Sequence, residues 1–227
     1  MKIIPLHAWD VSPKEAVVIQ DRLARQIVLE PRSAPPKIVA GADMAFDKAA
    51  GSGFAAVVLL RFPSLQPAGK FTVKGTVKFP YVPGLLSFRE APLLLKAFEQ
   101  VEPAPDLIFF DGQGLAHPRK LGLASHLGLF LDCPTVGCAK SRLTGHYEEP
   151  GRGKGSSSPL VNDAGENLGA AVRTRDNCNP VYVSPGHKID IDSAVRWTLQ
   201  CTTRYRIPEP TRLAHNLVGE YKNSGII

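Results

Sequence analysis

The sequence predicts one α/β domain on a mixed sheet, with three antiparallel strands first and alternating strands and helices after them. Three observations carry that expectation. Residues 37–46, 53–61 and 71–79 are β-rich runs, the last two separated by the turn signals Pro63, Pro67 and Gly69, so they read as a meander. Leu107-Ile108-Phe109-Phe110 is an unbroken apolar run of the kind a strand covered on both faces carries, and residues 134–139 form another. Around them apolar residues recur at helical spacing, as in Leu93, Leu94, Ala97 and Phe98, and again in Leu121, Ala124, Leu127, Gly128 and Leu131. A chain of 227 residues can bury one substantial core, so residues 1–227 are expected to be a single domain.

Taken in order, Ser12-Pro13-Lys14-Glu15 opens the first helix with a capping box, and Ile19, Leu23 and Ile27 give it a buried stripe down to Pro31. The first strand follows, with the small residues Ala40-Gly41-Ala42 ahead of Asp43 leaving room for something to approach the backbone. Phe79-Pro80-Tyr81-Val82-Pro83-Gly84 cannot continue a central strand, because two prolines remove ladder donors. It reads either as a proline turn around a buried Tyr or as a stiff projecting loop with an aromatic tip. Ser87-Phe88-Arg89-Glu90 has capping-box spacing for the next helix. Residues 145–159 have loop composition, a hairpin joins residues 160–161 to 168–174, and Val181-Tyr182-Val183 is a further strand ending in the turn Ser184-Pro185-Gly186-His187. A helix then starts near Asp190, and Arg206-Ile207-Pro208-Glu209-Pro210-Thr211 introduces the last one, which carries His215.

Apolar residues make up 44% and charged residues 21%, which argues against a disordered chain, and no apolar stretch approaches the roughly 20 residues that span a bilayer. The net charge of +6 favours a polyanionic partner. Four cysteines without paired spacing, and an N-terminus without an apolar signal segment, point to a reducing compartment, the cytoplasm or nucleoid; Cys133 and Cys138 read as small core residues.

Asp111 is the residue with most to say about chemistry. It sits where an apolar run stops, and in open α/β sheets the crevice beyond the carboxyl ends of strands is where ligands bind. Gly112 and Gly114 follow, then His117, Arg119 and Lys120, which could face an anion. The same stretch also fits a glycine turn with a solvated Asp. Lys140 is a second charge at the end of an apolar run, while Asp43 alone could be an exposed strand residue and Glu90 a cap.

Taken together, these pieces resemble the endonuclease V family, enzymes that nick nucleic acid near deaminated bases, especially inosine. The resemblance is carried by Gly41-Ala42-Asp43, by Pro80-Tyr81-Val82-Pro83-Gly84-Leu85-Leu86-Ser87-Phe88-Arg89-Glu90 and by Asp111-Gly112-Gln113-Gly114-Leu115-Ala116-His117-Pro118-Arg119. It continues through Val136-Gly137-Cys138-Ala139-Lys140-Ser141-Arg142-Leu143, Ser184-Pro185-Gly186-His187 and the segment from Arg206 to His215, and so covers nearly the whole chain. Cys138 stands where the family pattern would have Val, a small apolar replacement.

The resemblance implies a ribonuclease H-like fold, with three antiparallel strands, then parallel strands, and helices on both faces. It implies that Asp43, Glu90 and Asp111 hold Mg²⁺, with Mn²⁺ able to substitute, and that Lys140 and His215 complete the catalytic set. Pro80, Tyr81, Val82 and Pro83 would form a wedge in the DNA, Gly84, Leu85 and Gly112 a pocket for the extruded base, and Arg89, His117 and Arg119 contacts to the DNA backbone. The reaction implied is hydrolysis of the second phosphodiester bond 3′ to the lesion, initiating DNA repair. The partner would be DNA containing deoxyinosine or another deaminated base, with inosine-containing RNA as a further class, and the chain is expected to act as a monomer. Another ribonuclease H-like nuclease, preferring RNA or branched DNA, and a non-catalytic nucleic-acid binder remain as rivals.

Overall fold

The apolar run Leu107–Phe110 is buried along its whole length, and its neighbours explain why. The computed structural model describes residues 1–47 and 50–224. In chain order they form α1 (Pro13–Ala24), β1 (Ile38–Asp47), β2 (Ser52–Arg61), β3 (Gln66–Thr76), α2 (Leu86–Glu99), β4 (Leu107–Phe110) and α3 (Leu123–Leu131). There follow β5 (Thr135–Ala139), β6 (Ser157–Val161), β7 (Asn167–Val172), β8 (Val181–His187), α4 (Ile191–Gln200) and α5 (Glu209–Asn223). The strands make an eight-stranded sheet in the order β3-β2-β1-β4-β5-β8-β7-β6.

The meander β1 to β3 is antiparallel, and β1, β4 and β5 run parallel at the centre. The parallel run stops at β5, since β8, β7 and β6 continue the sheet antiparallel. Alternation along the central strands divides the core in two. Ala40, Ala42, Ile108 and Phe110 pack with Leu94 and Phe98 of α2 and Leu127 of α3. Val39, Phe109, Val136 and Val183 pack with Ala194 and Trp197 of α4 and Ala214 of α5. Helices therefore cover both faces, which is why the central strands tolerate continuous apolar runs.

Several local readings differ from the structure. Ser12 caps α1 and shares a reciprocal capping box with Glu15, but the helix stops at Ala24 instead of running on towards Pro31. Beyond it the backbone is captured elsewhere: Val28 N–H donates to His187 Nδ1, and Val28 C=O accepts from Lys188 N–H. Pro67 and Gly69 lie inside β3 and not in the turn before it, because β3 is the sheet edge and Pro67 sits at a register shift. Ser184-Pro185-Gly186-His187 is strand and not turn; Pro185 pairs opposite Val136 next to a register shift, and its carbonyl accepts from Leu115 N–H. Ser157 to Pro159, assigned to a loop by composition, begin β6. Ser87 is no helix cap: α2 starts at Leu86, and the Ser87 hydroxyl bonds a histidine on α3.

Cys133, Cys138 and Cys201 are buried free thiols, each pushed up to about 12 by burial, which keeps them protonated core residues. No helix among the described residues is long and apolar enough to cross a membrane.

Candidate active site

Register brings the first two acids together. Ala42 pairs with Phe110 across the parallel strands β1 and β4, so the next residue on each, Asp43 and Asp111, stands at the same level on the carboxyl side of the sheet. Asp43 alternates with Gly41 and Val39 and so points towards the face covered by α5. That helix is seated closely, because a Cβ on Gly41 would lie 1.9 Å from the carbonyl oxygen of Pro210. The small residues ahead of Asp43 thus make room for the start of α5, and His215 arrives from it with Nδ1 2.7 Å from Asp43 Oδ2.

Ligand atoms of Asp43, Asp111 and His215 all lie within 4.8 Å of one another. Asp43 Oδ1 accepts from Met44 N–H at 2.8 Å, and Lys140, the first residue after β5, places Nζ 2.5 Å from Asp111 Oδ2. Burial raises the pKa of Asp43, and the charge of Asp111 raises it further against the pull of His215. Glu90 reaches the same end of the sheet from α2 on the other face. Its carboxyl is pushed up to about 8 by burial and by the charges of Asp43 and Asp111, though it is not part of the mutually close trio. Two carboxylate oxygens and an imidazole, with a third carboxyl alongside and too little positive charge to balance them, are a donor set that fits a hard divalent cation.

Beside the acids lies a pocket of about 170 Å³, lined by Tyr81, Gly84, Ser87, Gln113, His117, Leu123 and others, room for one nucleobase. Asp111 and Gln113, two residues apart, belong one to each site. The segment from Pro80 to Pro83 is the stiff projecting loop, with Tyr81 71% exposed at the pocket mouth and Val82 half-buried. Gly84 turns the chain at φ +78°, a conformation that favours glycine. Its carbonyl accepts from Gln20 Nε2, His117 Nε2 and Arg119 Nη2, each at 3.0 Å. Of the other residues expected to form the pocket, Leu85 turns its side chain into the core with Ala16, Phe79 and Phe88, and Gly112 backs onto Leu123.

The three residues expected on the DNA backbone have partners inside the molecule. His117 is 5% exposed and braces Gly84, Arg119 also bonds Gln20 Oε1, and Arg89 donates to Phe79 C=O while lying over the Phe46 ring. They hold the loop and the pocket wall from within, His117 buried and Arg89 and Arg119 half-buried. Lys120, grouped with them by sequence, pairs with Glu166. Ser87, Gln113 and His126 were not singled out by sequence reasoning. Ser87 was read as a cap, and Gln113 and His126 acquire partners only through tertiary contacts.

The family model for Endonuclease V matches residues 21–216. The chain belongs to the Endonuclease V family. Among relatives, it is 47% identical over 218 residues to the Endonuclease V of Nostoc punctiforme, covering 96% of this chain and 98% of that one. The crystal structure of the Endonuclease V of Streptomyces avermitilis superposes with a TM-score of 0.92 at 41% identity, covering 100% of both chains. A Ciona intestinalis Endonuclease V, solved in complex with a 23mer DNA containing an inosine followed by a ribo-adenosine, matches with a TM-score of 0.83 at 26% identity, covering 94% of this chain and 99% of that chain. The ribonuclease H-like arrangement expected from the sequence is the fold these Endonuclease V structures share with this chain.

Proposed function

We propose that this chain is a divalent-cation-dependent endonuclease that extrudes a deaminated base, chiefly inosine, from DNA and hydrolyses the second phosphodiester bond on its 3′ side, initiating repair. The observation that carries this reading is the convergence of Asp43, Asp111 and His215 within 4.8 Å beside a nucleobase-sized pocket, in a chain of this family. The Ciona relative bound to inosine-containing DNA supports the choice of lesion.

Asp43 and Asp111, with Glu90 alongside, would hold Mg²⁺, or Mn²⁺ in its place, and His215 would complete the set. When bound, such an ion lowers the pKa of an attacking water and neutralises charge on the leaving oxygen. Lys140, tethered to Asp111, carries a positive charge to the phosphate and stabilises the anionic transition state. His215 donates from Nδ1 to Asp43, which leaves Nε2 to exchange a proton with water at the scissile bond. Tyr81, projecting and stiffened by Pro80 and Pro83, fills the gap left in the stack while the base enters past Gly84. The braces on Gly84 keep that loop from yielding when it is pressed into the duplex.

In this reading residues 1–227 are one catalytic unit, active as a monomer in the cytoplasm on nucleoid DNA. The ribo-adenosine in the relative's ligand favours inosine-containing RNA as a second substrate class. Matched DNA and RNA oligonucleotides, each with and without a single inosine, test the proposal in Mg²⁺ and in EDTA. Nicking that requires both inosine and Mg²⁺ is expected; inosine-independent cutting, or cutting of branched DNA in preference, would replace it with the rival nuclease reading.

A further inference from the structure

The wall of the pocket contains a hydroxyl whose proton is already committed. Ser87, 2% exposed, places Oγ 2.9 Å from His126 Nδ1; His126 Nε2 is 2.8 Å from His7 Nε2, and His7 Nδ1 is 2.8 Å from the carbonyl oxygen of Ala8. A carbonyl can only accept, so His7 carries its proton on Nδ1 and, when neutral, accepts at Nε2. His126 must then donate from Nε2 and accept at Nδ1, which leaves Ser87 as the donor to His126. Both imidazoles are held neutral. His126 is fully buried among Trp9, Phe88 and Phe130, with its pKa well below the ordinary value through desolvation, and burial also lowers that of His7. With its hydrogen turned inward, the Ser87 oxygen can offer the pocket only lone pairs.

Gln113 repeats the logic with a different anchor. Its Nε2 donates to Ser141 C=O at 3.0 Å, which fixes the amide, and Oε1 is buried with no hydrogen-bond partner among the described residues. Ser87 and Gln113 line the same pocket.

The geometry points to Ser87 Oγ, supported by Gln113 Oε1, as the side-chain acceptor that reads the ring N–H of a deaminated base, with His126 and His7 as positioning residues that lock its polarity. This rests on the nuclease reading above and specifies how its pocket chooses. Deamination turns N1 of adenine and N3 of cytosine from acceptors into N–H donors, and hypoxanthine therefore presents a hydrogen where adenine presents a lone pair. An acceptor that cannot rotate its proton outward meets adenine with two lone pairs opposed and neither satisfied. A hydroxyl free to turn would accept both bases, so the relay through His126 to Ala8 is what converts a permissive group into a selective one.

Purine, which has a bare N1 and no C6 oxygen, is the probe for the test. The ratio of kcat/KM for DNA containing inosine to DNA containing purine is measured in wild type and in Ser87→Ala; the missing C6 oxygen affects both enzymes and cancels in the comparison. We expect the ratio to fall about tenfold in Ser87→Ala, the usual cost of one hydrogen bond to a buried reader, and about threefold in His7→Phe, where His126 is released to turn its tautomer. An unchanged ratio in Ser87→Ala with inosine cleavage intact would overturn this inference and leave the nuclease reading standing, whereas wild-type protein that ignores inosine would sink the latter. Nitrogen-15 NMR of the wild type needs no variant: an Nε2–H tautomer at His126 is expected, and an Nδ1–H tautomer would refute the locked polarity.

Discussion

The acid cluster and the pocket beside it meet between Asp111 and Gln113, yet they are built on opposite terms. In the cluster, like charges are forced together: burial and the charge of Asp111 raise the pKa of Asp43, burial and the charges of Asp43 and Asp111 raise that of Glu90, and Lys140 pairs with Asp111 alone. In the pocket wall nearly every polar group is satisfied, with Gly84 C=O taking three donors and His117 bonded at both ring nitrogens. The contrast separates a site whose charges await a ligand from one whose loop is braced before the ligand comes, with Gln113 Oε1 left as its unpaired acceptor. Strain in the first is relieved by a cation; rigidity in the second is what allows a loop to displace a base.

The largest effect should come from the cluster. Asp43→Ala and Asp111→Ala are each expected to reduce Mg²⁺-dependent nicking by roughly three orders of magnitude, since several kcal/mol of transition-state stabilisation depend on the held charge. Binding of inosine-containing DNA, measured by fluorescence anisotropy, should persist in both, because removing an acid from a phosphate-facing cleft reduces repulsion. Variants that nick normally would mean the acids are structural.

The wall should answer to pH. His117 is pushed down to about 4 by burial and by the neighbouring Arg119, below the ordinary 6.5, so the unfolded chain takes up the proton more readily than the folded one. The stability this contributes is fully present above pH 6.5 and is lost as pH falls from there towards 4, by roughly 3 kcal/mol in all. Urea midpoints taken across that range should fall with acidification and do so less in His117→Gln; equal slopes in the two proteins would remove His117 from the brace.

A smaller effect is expected at the loop. Tyr81→Ala should impair cutting of duplex about tenfold more than cutting of single strands, because only the duplex requires a base to be extruded. Equal losses on the two substrates would argue that Tyr81 contacts DNA without acting as a wedge.

How much of this could be read from sequence depended on whether a residue's role was local. Asp111 was visible because an apolar strand ends on it, and the proline-bounded Tyr81 because two prolines forbid a central strand. Asp43 and His215 were not distinguishable alone, since their meeting depends on α5 packing onto Gly41, a contact 169 residues apart in chain that no spacing rule encodes. Ser87 was misread for the same reason in reverse: its spacing to Glu90 matched a local cap, but its partner is on α3 and Glu90 faces the acids. Pro67 and Pro185 looked like turns because sequence does not announce which strand is an edge or where a register shift will absorb a missing donor.

The claim on which everything else depends is that Asp43 and Asp111, with Glu90 alongside and His215 bonded to Asp43, hold a divalent cation. Titrating Mn²⁺ into the wild type and into Asp111→Asn, followed by the enhancement of water proton relaxation, tests it without DNA. Saturable binding in the wild type that is weakened at least about tenfold in the variant is the expected result; identical titrations for the two proteins would contradict it.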